Sequence, residues 1–213
     1  NALAAVGSTG NLTNLVVNFY VGLSTGASVV IAQYYGAHNK GKIHQAVHTS
    51  YMLAIVSGII MMLFGLFFSY QCLDAIGVPH DILNDASLYM RLYFLGMIPG
   101  AIYNIGSGIL RAVGDSKRPL YYLIICSIVN VVFDFVFVVI LHKGIAGAAI
   151  ATFIAQTVCA ILVTLQLIFS KDVYQLTLSK IKFHLPVLKK IVKIGAPAGI
   201  QSTMYSIANI VLQ

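Results

Sequence analysis

The chain alternates between long apolar runs and short polar loops. The first run lies within Leu12–Tyr35, and no Asp, Glu, Lys or Arg occurs before Lys40. A second spans Val47–Tyr70, and a third runs from Leu92 to Leu110 between Arg91 and Arg111. The fourth starts at Pro119 and ends near Leu141, interrupted by a single charge, Asp134. A fifth covers Gly144–Ser170, and a sixth starts near Ile191 and is still apolar at Gln213. At 1.5 Å of rise per residue, about 20 residues cross a hydrocarbon layer of about 30 Å, and every run meets that length. Barrel strands alternate in character over about ten residues, which these runs do not. The predicted fold is therefore all-α: a polytopic transmembrane helix bundle.

Composition narrows the class further. Hydrophobic residues make up 59% of the 213 and charged residues only 9%, with a mean hydropathy of +0.88, against roughly 25% charged in an ordinary soluble domain. So few charges cannot cover a water-facing surface, so most of the chain faces lipid or other apolar helices. Cys72, Cys126 and Cys159 sit in or beside apolar stretches, and this odd number reads as packing and not as a disulfide framework. Asn1 has no basic flank and runs into apolar sequence, so no cleavable signal peptide is expected.

Loop charges orient the bundle. The loops Gly36–His44, Arg111–Arg118 and Lys171–Lys193 fall on one side and hold eleven of the thirteen Lys and Arg residues. The other side, Cys72–Arg91 and His142–Lys143, holds only Arg91 and Lys143, beside Asp74, Asp81 and Asp85. The basic side is cytoplasmic by the positive-inside rule. The net charge of +7 thus reports topology and contact with an anionic leaflet, not a nucleic-acid partner. A first run that starts outside is unusual, and the simplest account is a truncated sequence lacking at least one helix in front and more behind.

Chemistry concentrates on Asp134. A carboxylate inside a span costs a few kcal/mol on insertion scales, so it should face a protein cavity or a partner. Asn130 precedes it by one helical turn and Ser127 by two, a polar stripe on a Val/Ile/Phe helix. On the next run Thr152 and Gln156 are again one turn apart, and adjacent antiparallel helices could bring the two stripes together. Burial favours the protonated carboxyl while amide and hydroxyl neighbours favour the charged form, so such a cluster suits a proton or a small cation. His44 and His48 share a helix face at metal-ligand spacing, but without Cys or carboxylate company they read as structural. Gly22–Gly26, Gly96–Gly100 and Gly195–Gly199 are small-xxx-small pairs that let helix backbones approach. Pro99 and Pro197 inside apolar runs predict kinks.

Several stretches carry a family resemblance. Leu110-Arg-Ala-Val-Gly-Asp-Ser-Lys-Arg-Pro119 resembles the loop between the fourth and fifth helices of the multidrug and toxic compound extrusion family. Leu3–Gly7 with Gly26–Ala37, and Gly147–Thr152, resemble its second and sixth helices. The resemblance implies that the six runs correspond to the family's second through seventh helices. Residues 1–170 would then be five helices of the N-terminal half, 171–193 a basic cytoplasmic linker and 194–213 the start of the second half. It implies a monomer of a bacterial plasma (inner) membrane that exports organic cations or drugs in exchange for H⁺ or Na⁺. No other cofactor is implied. The family's N-half cation site falls on Asn130, Asp134 and Thr152, with Tyr89 at the outer end of the third run. Two other classes remain open. A related lipid-linked oligosaccharide flippase would need basic side chains within the cavity, and no Lys or Arg lies mid-run here. A membrane-embedded enzyme would need paired carboxylates or a serine elbow; Asp134 is alone, and Ile105-Gly-Ser-Gly108 lacks the leading glycine of a serine motif.

Overall fold

The computed structural model describes the backbone of residues 2–75 and 77–211; the side chains of Leu3–Gly7, and residues 212 and 213, lie outside the described residues. Among the described residues seven α-helices follow one another: α1 (Ala2–Gly36), α2 (Lys40–Ala75), α3 (His80–Leu95), α4 (Met97–Ala112), α5 (Lys117–Asp134), α6 (Gly144–Phe169) and α7 (Leu185–Val211). A π-helical turn, Phe135–Ile140, continues α5, and a short 3₁₀ turn, Leu178–Lys180, lies between α6 and α7. No strand occurs among the described residues. By length and apolarity α2, α5 with its π-helical turn, and α6 are each able to cross a membrane, and α3 with α4 forms a fourth, bent candidate.

The helix ends follow from local chemistry. Asn39 precedes α2 and its Oδ1 accepts the Lys42 N–H at 3.1 Å, satisfying one of the orphan donors of the first turn. The loop Leu110–Pro119 is a compact reversal. Gly114 takes φ +90°, which lets the Asp115 N–H return to the Leu110 carbonyl at 3.0 Å and close α4. Asp115 Oδ1 then accepts the Arg118 N–H at 3.2 Å, and its other oxygen lies 3.3 Å from the Arg118 guanidinium. Asp115 thus pairs with Arg118, at the surface, where such a pair contributes little on its own.

The third run is where sequence and structure differ most. A single span from Leu92 to Leu110 was expected; instead α3 and α4 meet at Gly96 with a 45° bend. Proline is the cause. Pro99 has no N–H to offer the Leu95 carbonyl, so the ladder breaks there, and Pro99 sits comfortably in the first turn of α4. The outer segment Cys72–Arg91, expected as a loop, is mostly helical: α2 runs to Ala75 and α3 starts at His80. α7 likewise starts at Leu185, so the last part of the expected linker is helix.

Packing is antiparallel and glycine-dependent. The most extensive contact is between α1 and α7. There Gly22 and Gly26 face Gly195 and Gly199; a Cβ on Gly26 would stand 2.7 Å from the Gly195 nitrogen. Pro197 is exposed on the opposite face, so α7 continues through it while its glycines meet α1. α2 packs on α3 and α4, α6 on α3, α4 and α5.

The linker is stitched back onto the bundle. Leu176 donates its N–H to the Leu167 carbonyl at 2.9 Å, and Tyr174 and Leu176 are buried. His48 is fully buried. Its Nε2 accepts the Thr177 N–H at 3.0 Å, and its Nδ1 stands 2.7 Å from the His44 carbonyl. A ring that carries a proton on Nδ1 donates to the His44 carbonyl while Nε2 accepts from Thr177. His44 stacks on the ring, centroids 4.0 Å apart, and among the described residues no cluster of three metal-ligating side chains occurs. His48→Ala is therefore expected to loosen the linker by about 1–3 kcal/mol, the usual cost of stranding a buried hydrogen-bonding group. Limited trypsin digestion should then cleave after Lys180 and Lys182 several-fold faster than in the parent.

Candidate cation site

Asp134 is the last α-helical residue of α5, and the chain widens immediately after it. The Leu141 N–H bonds the Val136 carbonyl, five residues back, at 2.9 Å, the signature of the π-helical turn Phe135–Ile140. Such turns inside otherwise α-helical segments concentrate at functional positions. The carboxylate is half-buried; Oδ1 is shielded from solvent and has no hydrogen-bond partner. No basic side chain pairs with it: the ion pair among the described residues is the one between Arg118 and Asp115.

One contact between facing helices sets the register around this carboxylate. Cys126 on α5 and Cys159 on α6 meet between the helices, with their Cα atoms 5.9 Å apart. Asp134 lies eight residues beyond Cys126 along α5, and Thr152 seven residues before Cys159 along the antiparallel α6. Helical rise therefore lifts the two by about 12 Å and about 10 Å from the same point, to matching depths. Residues spaced by four or seven stay on one face, so Asn130 and Asp134 share the Cys126 side of α5 and Thr152 the Cys159 side of α6. Thr152 donates its hydroxyl to the Ala148 carbonyl at 3.0 Å, which leaves the oxygen lone pairs available to a cation. Tyr89 on α3 packs on Tyr93, ring centroids 6.2 Å apart. α6 packs against both α3 and α5, and no hydrogen bond links Asp134 Oδ1 to Asn130, Thr152 or Tyr89.

Gln156 is the residue whose place the sequence alone did not give. Its Oε1 is buried without a partner and lies over the bend between α3 and α4, where a Cβ on Gly96 would stand 2.5 Å away and one on Gly100 3.2 Å. The Gly96–Gly100 pair thus admits a polar side chain, not the backbone of a neighbouring helix as the spacing suggested. The cysteines also need correction. Reading all three as packing residues holds for Cys72, which is free and half-buried, but Cys126 and Cys159 are paired. The reason is the antiparallel register of α5 and α6, which joins residues 33 apart in sequence and leaves no trace in either run alone.

A bent, glycine-packed bundle of apolar helices, with one half-buried carboxylate lacking a basic partner among the described residues, defines a polytopic membrane protein. The comparisons agree and are more specific: the MatE family model matches residues 1–136, and the chain belongs to that family. A probable multidrug resistance protein of Bacillus subtilis, YoeA, is 29% identical over 99% of this chain and 47% of its own length. The probable multidrug resistance protein NorM of Thermotoga maritima is 25% identical over 96% of this chain and 45% of its own. Solved structures of a multidrug resistance MATE transporter superpose closely at 28% identity. The inward-facing form gives a TM-score of 0.90 over 97% of this chain and 47% of that one. The outward-facing form gives 0.91 over 98% and 46%. The chain thus spans about half the length of its relatives. It is an integral membrane protein of a family of transporters, not of enzymes.

Proposed function

We propose that the protein containing this chain exports organic cations or drugs by alternating access, in exchange for H⁺ or Na⁺, and works as a monomer. The observation that carries the reading is the Asp134 carboxylate, half-buried within a span and without a basic partner. An unpaired charge at that depth is costly, and a proton or a small cation removes the cost. Asn130, Thr152 and Tyr89 supply the oxygens that would complete its shell. An ion that enters from outside and binds one arrangement of the two halves more tightly biases the molecule towards that arrangement, and only by the difference in affinity.

The likeness to both forms of a relative supports the placement of the switch. This half matches an outward-facing and an inward-facing structure equally well, with TM-scores of 0.91 and 0.90. A half that keeps its overall shape in both states supports a large change of access between halves, with only small shifts of helices such as α5 and α6 within each half. The test is efflux of a fluorescent organic cation from vesicles holding the full-length protein, under an imposed pH gradient and separately under a sodium gradient. At least one gradient is expected to accelerate export about tenfold or more over its absence, a coupling within the usual range. Equal rates with and without both gradients would sink the proposal.

A further inference from the structure

We propose that Cys126 and Cys159 form a reversible redox cross-link in the middle of the membrane, which holds α5 against α6 when oxidised and slows transport. The functional half of this inference rests on the cation-coupled reading above; the cross-link itself does not.

The pairing is built into the fold. The two cysteines sit on adjacent helices with Cα atoms 5.9 Å apart, inside the span a disulfide bridges without backbone movement. Both are buried, at 5% and 4% exposure. The reduced state is also provided for, because Cys159 Sγ lies 3.7 Å from the Tyr122 carbonyl, an acceptor for the free thiol. Each redox state thus has a partner for that sulfur, the condition for a switch between two stable forms.

Depth decides the oxidant. Cys126 is seven residues inside the apolar run that starts at Pro119 and Cys159 ten from the end of α6 at Phe169, so they lie about 11 and about 15 Å into a hydrocarbon layer of about 30 Å. Water-soluble disulfides do not reach that plane, whereas a bilayer-soluble quinone does. The step balances: the two thiols lose two electrons and two protons, the S–S bond forms, and the quinone becomes a hydroquinone. The cross-link lies two helical turns below the level shared by Asp134 and Thr152, on the same faces of the same helices. Tying the helices there prevents α5 and α6 from separating or sliding to admit and release an ion.

The test uses full-length protein in liposomes treated with duroquinone, a fully substituted quinone that cannot alkylate thiols by ring addition. Peptide mass spectrometry after alkylation should show residues 126 and 159 joined with loss of two hydrogens, and dithiothreitol should separate them. Efflux should fall at least fivefold on oxidation and return on reduction, and the Cys126→Ala variant should keep parental efflux that the quinone does not change. Two alkylated cysteines after quinone treatment would overturn the cross-link, and a joined pair with unchanged efflux would overturn its control of transport. Failure of the cation-coupled reading looks different: untreated protein would show no gradient dependence while the joined peptide still appeared.

Discussion

Asp134→Asn in the full-length protein is expected to abolish ion-driven efflux while leaving insertion and folding intact. Asparagine matches aspartate in size and keeps an oxygen in place, so the helix-facing contacts of α5 survive. What it removes is the negative charge and the ability to take up a proton. Oδ1 has no hydrogen-bond partner to lose, and no basic side chain is left stranded by its neutralisation, so the substitution carries little structural penalty. Replacing an unpaired carboxylate within a span by a neutral amide should even raise stability slightly. Coupling energies between sites usually run to 1–3 kcal/mol, or about 5- to 150-fold, so gradient-driven export should drop by up to about a hundredfold. The measurement is vesicle efflux under a gradient alongside thermal unfolding in detergent. Retained gradient-driven efflux with normal stability would remove Asp134 from the mechanism.

The second large effect belongs to packing. Gly26→Leu should destabilise the half-bundle by several kcal/mol, because the three atoms nearest a Cβ there are all backbone: the Ile191 carbonyl oxygen, the Gly195 nitrogen at 2.7 Å and its Cα at 2.8 Å. No side chain can swing aside, so α1 and α7 must move apart along their whole contact. Overpacking commonly costs about 1–3 kcal/mol where neighbours can adjust, and here they cannot. Gly36→Leu is the control, since a Cβ on Gly36 meets nothing within 4 Å. Thermal unfolding in detergent should show a marked drop for Gly26→Leu and almost none for Gly36→Leu. Equal behaviour of the two would show that the close approach of α1 and α7 contributes nothing to stability.

Much of the architecture was legible because a bilayer imposes a strict rule on sequence. Backbone groups must be satisfied within each span, so an apolar run of sufficient length has only a helix to become. The six runs accordingly appear as α1, α2, the α3–α4 pair, α5, α6 and α7. Asp134 was conspicuous for the same reason, as a charge where charges are expensive. Pro99 announced a distortion, but its place at Gly96 depended on which carbonyl lost its donor.

What one dimension could not supply was the pairing of faces. The sequence by itself determined that the chain is helical and membrane-embedded, which side of it is basic, and that one carboxylate lies within a span, because these depend on the composition of single runs. Only the tertiary structure decided that Cys126 meets Cys159, that Gln156 lies over the Gly96 bend, that His48 fastens the linker at Thr177, and that α5 turns π-helical after Asp134. Each of those depends on the register and rotation of one helix against another, and these are set by the fit of many side chains at once.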